Sequence, residues 1–100
     1  MYYITYKNVL KAGKKYKDFT QWLGEYWDEQ KKWGATSVRF WNNNYNKRNI
    51  IFCCYTVENL ERWNHKTIQP EAEPSIIALS KIVDINQMSI KIGMDPIFNN

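Results

Sequence analysis

Two hydrophobic periods alternate along the chain, and the switches between them mark out its elements. From Tyr2 to Leu10 the period is two, with Tyr2, Ile4 and Tyr6 on one side and Tyr3, Thr5, Lys7 and Val9 on the other. β-Branched and aromatic residues dominate, which predicts a strand. After a polar turn at Lys11 to Lys15 containing Gly13, the period becomes helical: Phe19, Trp22, Leu23, Tyr26, Trp27, Gln30 and Trp33 recur at offsets of three and four. The spacing predicts a helix from about Tyr16 to Trp33, ended by Gly34, with Asp18 near its positive end and Lys31 and Lys32 near its negative end. A stripe this bulky needs a sheet or a partner to cover it. Gly24 interrupts it, and a glycine there is expected to let the helix approach a sheet closely.

Period two returns at Thr36 to Trp41, where Val38 and Phe40 alternate with Ser37, Arg39 and Trp41. Asn42 to Asn49 is dense in Asn and reads as a turn, and Ile50 to Val57 as a third strand, so the two strands should pair as a hairpin. A second helix is expected to begin at Thr56 or Glu58, with Leu60 and Trp63 on one face. Pro70 and Pro74 break it, and Pro74 suits the first turn of a further helix over Ser75 to about Ile85, with Ile76, Leu79 and Val83 on one face. Met88 to Gly93 reads as the last strand, with Met88, Ile90 and Ile92 facing one way, before a short loose tail. The order is β-α-β-β-α-β with a broken second helix. That is the ferredoxin-like α+β order, an antiparallel sheet with helices on one face. The opposite face carries Tyr3, Thr5, Val9 and Trp41 and is neither small nor wholly polar. Such a face is usually closed by another subunit, so a homodimer is expected, with higher oligomers left open.

One hundred residues make one domain, 1–100, because a chain of this length builds a single core. An apolar fraction of 44% with 16% aromatic places it among globular rather than disordered chains. The net charge of +4 is mild, and the only basic cluster, Lys11, Lys14, Lys15 and Lys17, reads as a solvated turn, so no nucleic-acid partner is expected. Cys53 and Cys54 are adjacent and would point to opposite faces of a strand, which excludes an unstrained disulfide between them and any cysteine-based zinc site. With opening residues that are strand-like rather than charged and then apolar, this points to a cytoplasmic protein. No apolar run approaches a membrane span, and no membrane partner is expected.

With its elements in this order the chain resembles the dimeric α/β-barrel superfamily, which holds the antibiotic-biosynthesis monooxygenase-like, stress-responsive barrel and NIPSNAP-like proteins. The resemblance runs over nearly the whole chain. It rests on Tyr2-Tyr3-Ile4-Thr5-Tyr6, on Lys32-Trp33-Gly34, on the hairpin, and on Val57-Glu58-Asn59-Leu60-Glu61-Arg62-Trp63 followed by Glu73-Pro74. It implies two sheets packed face to face in a homodimer, with a pocket between each sheet and its helices or near the barrel mouth. The superfamily includes cofactor-free oxygenases and haem-degrading enzymes. The latter use an Asn on the first strand, a Trp on the helix after the third strand and a His some turns further on. Asn8 and Trp63 match the first two places, but His65 follows Trp63 by only two residues and would point to a different side of the helix, while the region beyond offers Glu71 and Glu73. That departure argues against haem ligation, and no cofactor is expected.

His65 is the only histidine, so no His-rich metal site can be built. Its imidazole could act as an acid or base beside a substrate, although a place near a helix C-terminus is its plainer explanation. Lys7, Arg39 and Lys91 fall on inner positions of three strands, interleaved with Tyr3, Trp41 and Tyr55. Cations on a largely apolar concave surface suit a flat, anionic ligand, with Arg39 stabilising negative charge that develops on it. The competing reading pairs these cations with acids across the dimer or places them at sheet edges. The candidate ligand-binding set is therefore Tyr3, Lys7, Arg39, Trp41, Tyr55 and Trp63, with His65 and Arg39 as candidate catalytic residues. Trp22, Trp27 and Trp33 read as core, and the cysteines as small buried hydrophobes. No Gly-rich phosphate loop, carboxylate pair or Ser-His-Asp order is visible. Two functions follow: a barrel that binds a hydrophobic or anionic aromatic molecule, extending to a cofactor-independent monooxygenase-like reaction, or a non-catalytic homo-oligomeric assembly module. A solvent-connected cavity lined by Arg39 and Tyr residues would favour the first, a filled interior the second.

Overall fold

Strands β1 (Tyr2–Val9), β2 (Ala35–Asn42), β3 (Ile50–Val57) and β4 (Ser89–Gly93) form one antiparallel sheet in the order β2-β3-β1-β4. The computed structural model describes residues 1–42 and 49–94, so most of the Asn-rich turn and the tail after β4 lie outside the described residues. Among the described residues three helices complete the fold: α1 (Tyr16–Lys32), α2 (Leu60–Thr67) and α3 (Glu73–Ser80), with single 3-10 turns at Pro70–Ala72 and Ile85–Gln87. This is the ferredoxin-like β-α-β-β-α-β arrangement, with the second helix broken into α2 and α3.

The strand register fixes which residues share a face. Ile4 pairs with Tyr55, Tyr6 with Cys53 and Asn8 with Ile51, while Val38 and Phe40 lie opposite Tyr55 and Cys53. These side chains point towards the helices. Tyr3, Thr5 and Lys7 pair with Thr56, Cys54 and Phe52, which in turn pair with Ser37, Arg39 and Trp41, so all of these point the other way. The helix side carries the core: Ile4, Phe19, Ile51, Val57 and Val83 are almost fully buried. Burying a side chain such as Phe19 contributes roughly 1.5–3 kcal/mol relative to leaving it exposed. Trp22 and Trp33 belong to this core, and Trp27 packs half-buried against it.

Local chemistry explains most element ends. At the start of α1 the Asp18 carboxylate accepts a hydrogen bond from the Lys15 backbone N–H at 2.8 Å. Its last turn is followed by Gly34, at φ +109, a left-handed conformation that favours glycine. Arg62 closes the same end from outside, its guanidinium donating to the Lys32 carbonyl at 2.7 Å. Three expectations are corrected. The second helix starts at Leu60 rather than at Thr56 or Glu58, because Thr56 and Val57 remain in the β3 ladder and the Asn59 side chain caps the helix, accepting from the Arg62 N–H at 3.0 Å. α3 stops at Ser80 rather than Ile85: Val83 turns back to bridge Leu10, and the Asp84 N–H donates to the Val9 carbonyl at 2.8 Å. Gly24 does not face the sheet, since it is exposed and a Cβ added there would meet nothing within 4 Å.

Candidate functional site

A cavity of about 250 Å³ lies between the sheet and the helices. Tyr6 and Asn8 of β1 and Cys53 and Tyr55 of β3 form its floor; these four sit on consecutive inward positions because two strands in register present alternate residues to one side. Helix α1 contributes Phe19, Trp22 and Gln30, with Trp33 at its C-cap continuing the same face, and α2 contributes Trp63 and Thr67. Ser75, Ile76 and Leu79 of α3 close another side. Ile85, Met88 and Ile90 complete the lining, and Ile76, Ile85 and Ile90 are exposed, which makes an apolar mouth.

Ring contacts hold the wall in shape. Trp63 packs on Tyr55 with ring centroids 4.9 Å apart and meets Trp33 edge-on at 5.9 Å, while Tyr6 and Tyr55 meet edge-on at 5.7 Å. The Trp63 indole N–H donates to the Tyr6 hydroxyl at 3.0 Å, and the Trp22 indole N–H donates to the Ser75 carbonyl at 2.8 Å. Asn8 is 2% exposed and donates its amide N–H to the Ile51 carbonyl at 3.3 Å. The Asn8 Oδ1 and the Oε1 of the equally buried Gln30 find no donor among the described residues. Burial pushes the Tyr6 and Tyr55 hydroxyls above their ordinary range; the Trp63 N–H works against this at Tyr6, and Gln30 works against it at Tyr55. Burial likewise pushes the Cys53 thiol up to about 12. Tyr6, Tyr55 and Cys53 are therefore neutral at pH 7, and among the described residues no Lys, Arg, His, Asp or Glu lines the cavity.

The sequence-predicted site residues are divided between the two faces of the sheet. Tyr55 and Trp63 line the cavity. Tyr3, Lys7, Arg39 and Trp41 lie on the opposite face, where Trp41 stacks on Phe52 at 5.6 Å and the cross-strand row Lys91, Thr5, Cys54, Arg39 runs across the sheet. The expected interleaving of Tyr55 with Tyr3, Arg39 and Trp41 is thus corrected: Cys54, not Tyr55, is the β3 residue opposite Thr5 and Arg39. His65 is exposed on α2 and does not line the cavity. Asn8 and Trp63, the residues that matched the haem-degrading pattern, do share the cavity, but no histidine reaches it, so these residues do not supply the axial ligand of that pattern. Among the described residues no group of three or more His, Cys, Asp or Glu could hold a metal ion. Nor is any helix among them long and apolar enough to cross a membrane.

Tyr6 and Gln30 escaped the sequence reading as site residues. Gln30 left a signal, because it is the one amide in an otherwise apolar stripe and is buried with the rings around it. A buried amide in such a stripe requires either an internal partner or a ligand.

No protein-family model matches the chain, and comparison with curated proteins yields no significant match. Solved structures do match. The cofactor-independent oxygenase SnoaB from Streptomyces nogalater superposes with a TM-score of 0.75 at 9% identity, over 97% of this chain and 94% of that one. Protein At3g17210 from Arabidopsis thaliana gives a TM-score of 0.74 at 8% identity, with both chains covered completely, 100% and 100%. A candidate antibiotic biosynthesis monooxygenase from Deinococcus radiodurans gives 0.67 at 13% identity, over 100% of this chain and 97% of that one. At these identities the likeness is one of fold, and the chain shares the ferredoxin-like α+β fold of these structures.

Proposed function

We propose that the protein takes a flat, hydrophobic small molecule into the cavity between its sheet and helices, works as a homodimer closed over the other sheet face, and acts on its ligand as a cofactor-independent, monooxygenase-like enzyme. One observation carries the binding step: an aromatic-walled cavity of about 250 Å³ lies between the sheet and the helices and opens at an apolar mouth formed by Ile76, Ile85 and Ile90. Pockets of apolar wall with a few fixed polar groups are the usual form of a small-molecule site. The cavity also favours this reading over a non-catalytic assembly module, whose interior would be filled. Lys7, Arg39 and Lys91 lie on the opposite face, so the anionic ligand expected from them is not proposed for the cavity.

The oxygenase step takes its support from the fold shared with SnoaB and from the chemistry of the wall. An activated methylene between aromatic rings can be oxidised to a ketone by a single molecule of dioxygen. One oxygen atom enters the new carbonyl, the other leaves as water with both methylene hydrogens, and the substrate supplies all the electrons, so no external reductant is needed. The walls would exclude water and hold the ring system, with Tyr6 and Asn8 at its polar edge. No strong base lines the cavity among the described residues, so proton loss must rest on the acidity of the substrate carbon itself. Binding is tested by titrating the neutral probe N-phenyl-1-naphthylamine while following the indole N–H signals of Trp22 and Trp63. Micromolar binding that moves both signals is expected; no change at either would overturn the binding reading. Oxygen uptake with a hydroxyanthrone tests the enzyme step, and a rate equal to the spontaneous one would remove it.

A further inference from the structure

Aromatic rings wall the interior of the cavity, but its mouth is aliphatic. Ile76 of α3, Ile85 of the following 3-10 turn and Ile90 of β4 line it and are 43%, 40% and 53% exposed. Ile68, directly after the lining residue Thr67, is 79% exposed. On β4 the strand alternation carries this surface outward, because Ile92 lies two residues beyond Ile90 on the helix side and is 48% exposed. Its cross-strand neighbour Ile4 is 1% exposed, so the cover over β1 stops short of β4. An isoleucine ledge therefore begins in the mouth and runs along an edge strand. Single exposed isoleucines need no explanation, whereas five around one opening form a patch of the kind that meets another molecule.

Charge and volume select the occupant. Between Lys66 and Met94 the charges cancel, with Lys66, Lys81 and Lys91 against Glu71, Glu73 and Asp84. The ledge thus lacks the basic rim by which an apolar surface is held to an anionic bilayer. A protein seated on it would close the opening through which the cavity exchanges its contents, and a second copy over the opposite sheet face, as proposed above, leaves it bare. A roughly 150 Å³ apolar cavity admits a single benzene ring, so one of about 250 Å³ holds a ring with a short substituent. A longer chain on that ring must leave through the mouth, where the ledge is the adjoining apolar surface.

We infer that the ledge is a subsite for a saturated hydrocarbon chain: the bound molecule is an alkyl-substituted aromatic whose ring fills the cavity and whose chain leaves through the mouth and lies on Ile90 and Ile92 of β4. A methylene on an open ledge keeps one side in water. It therefore gains about twofold in affinity, where full burial would give about fourfold. Ile92, which lies outside the cavity lining, is the residue that distinguishes a chain on the ledge from one folded inside.

The chain subsite rests on the cavity being a ligand site, and one series of probes separates the two. 4-Ethylphenol, 4-butylphenol, 4-hexylphenol and 4-octylphenol, each below its solubility limit, are titrated against the intact protein by NMR of the Trp22 and Trp63 indole N–H signals. Affinity is expected to rise about 16-fold over the four methylenes from butyl to octyl, about twofold for each. A plateau from butyl onward would overturn the subsite while leaving the cavity as a site, and absence of binding by all four would overturn both. Ile92→Thr keeps a β-branched residue at an exposed strand position. It should weaken octylphenol at least about threefold and leave ethylphenol unchanged; an octylphenol affinity equal to that of the wild type would overturn the placement on β4. Co-sedimentation of the protein with phosphatidylcholine vesicles would give the ledge to a bilayer, and a light-scattering mass above the dimer would give it to a further copy. Either outcome overturns the inference.

Discussion

Neighbouring residues meet different fates on β3, and Cys53 and Cys54 are the sharpest case. Cys53 points into the cavity and Cys54 to the far face, yet both are at most 2% exposed, and both thiols are free. We expect neither to react with a maleimide at pH 7.5 in the native protein and both to react in urea; fast native labelling would show that the burial is not maintained in solution. The Cys53 thiol also gives stability a pH dependence. Its folded-state value, about 12, lies above the ordinary 9.0, so above pH 9 the unfolded chain releases a proton that the folded chain keeps. Stability is therefore full below pH 9 and falls between about pH 9 and 12, by up to about 1.4 kcal/mol per pH unit for this group. Tyr6 and Tyr55, raised by the same burial, add loss of the same sign at higher pH. Urea midpoints at pH 7.5, 9 and 10.5 test this, and Cys53→Ala should flatten the decline. Trp63→Phe removes the donor to Tyr6 together with part of a buried indole, which should cost about 1–3 kcal/mol by urea unfolding.

Among the elements, α1 was the most legible in sequence, because its period, its acidic start and its glycine stop all agree. The glycine within it and the glycine after it nevertheless do opposite things. Gly24 is exposed and unstrained, so Gly24→Ala should stabilise the protein by roughly 0.5–1 kcal/mol. Gly34 sits at φ +109, so Gly34→Ala should destabilise it by about 1–2 kcal/mol. A paired urea series checks both, and a shift of the same sign for the two would contradict the backbone argument. The start of α2 was less legible, since Thr56 to Glu58 fit a helix start as well as a strand end and only pairing with Tyr3 and Ser37 kept Thr56 in the sheet. The end of α3 was hidden for a similar reason. Ile82, Val83 and Ile85 continue an apolar pattern, but the bridge from Val83 to Leu10 is a contact across the fold that local periodicity does not encode.

At the level of the whole molecule, one sheet face is covered by helices and the other is covered by none of them. Tyr3, Val9 and Trp41 remain half-buried there beside Phe52 and Ile50. Light scattering at micromolar concentration should therefore give twice the 12.0 kDa chain mass; a monomer would remove the dimer from the proposed function. By itself the sequence determined the element order, the alternation within each strand and the aromatic stripe, because these follow from side-chain period and local backbone preference. It also marked Asn8 and Trp63, although only as part of a pattern that His65 fails to complete. The tertiary structure decided which side of the sheet carries the cavity. Strand register placed Tyr55 with Trp63 and away from Arg39, and packing of α1 over the sheet brought Gln30 and Asn8, 22 positions apart in the chain, into the wall of one cavity. Period states which side chains share a face, but only long-range packing settles what that face meets, because the partner elements lie far away in the chain.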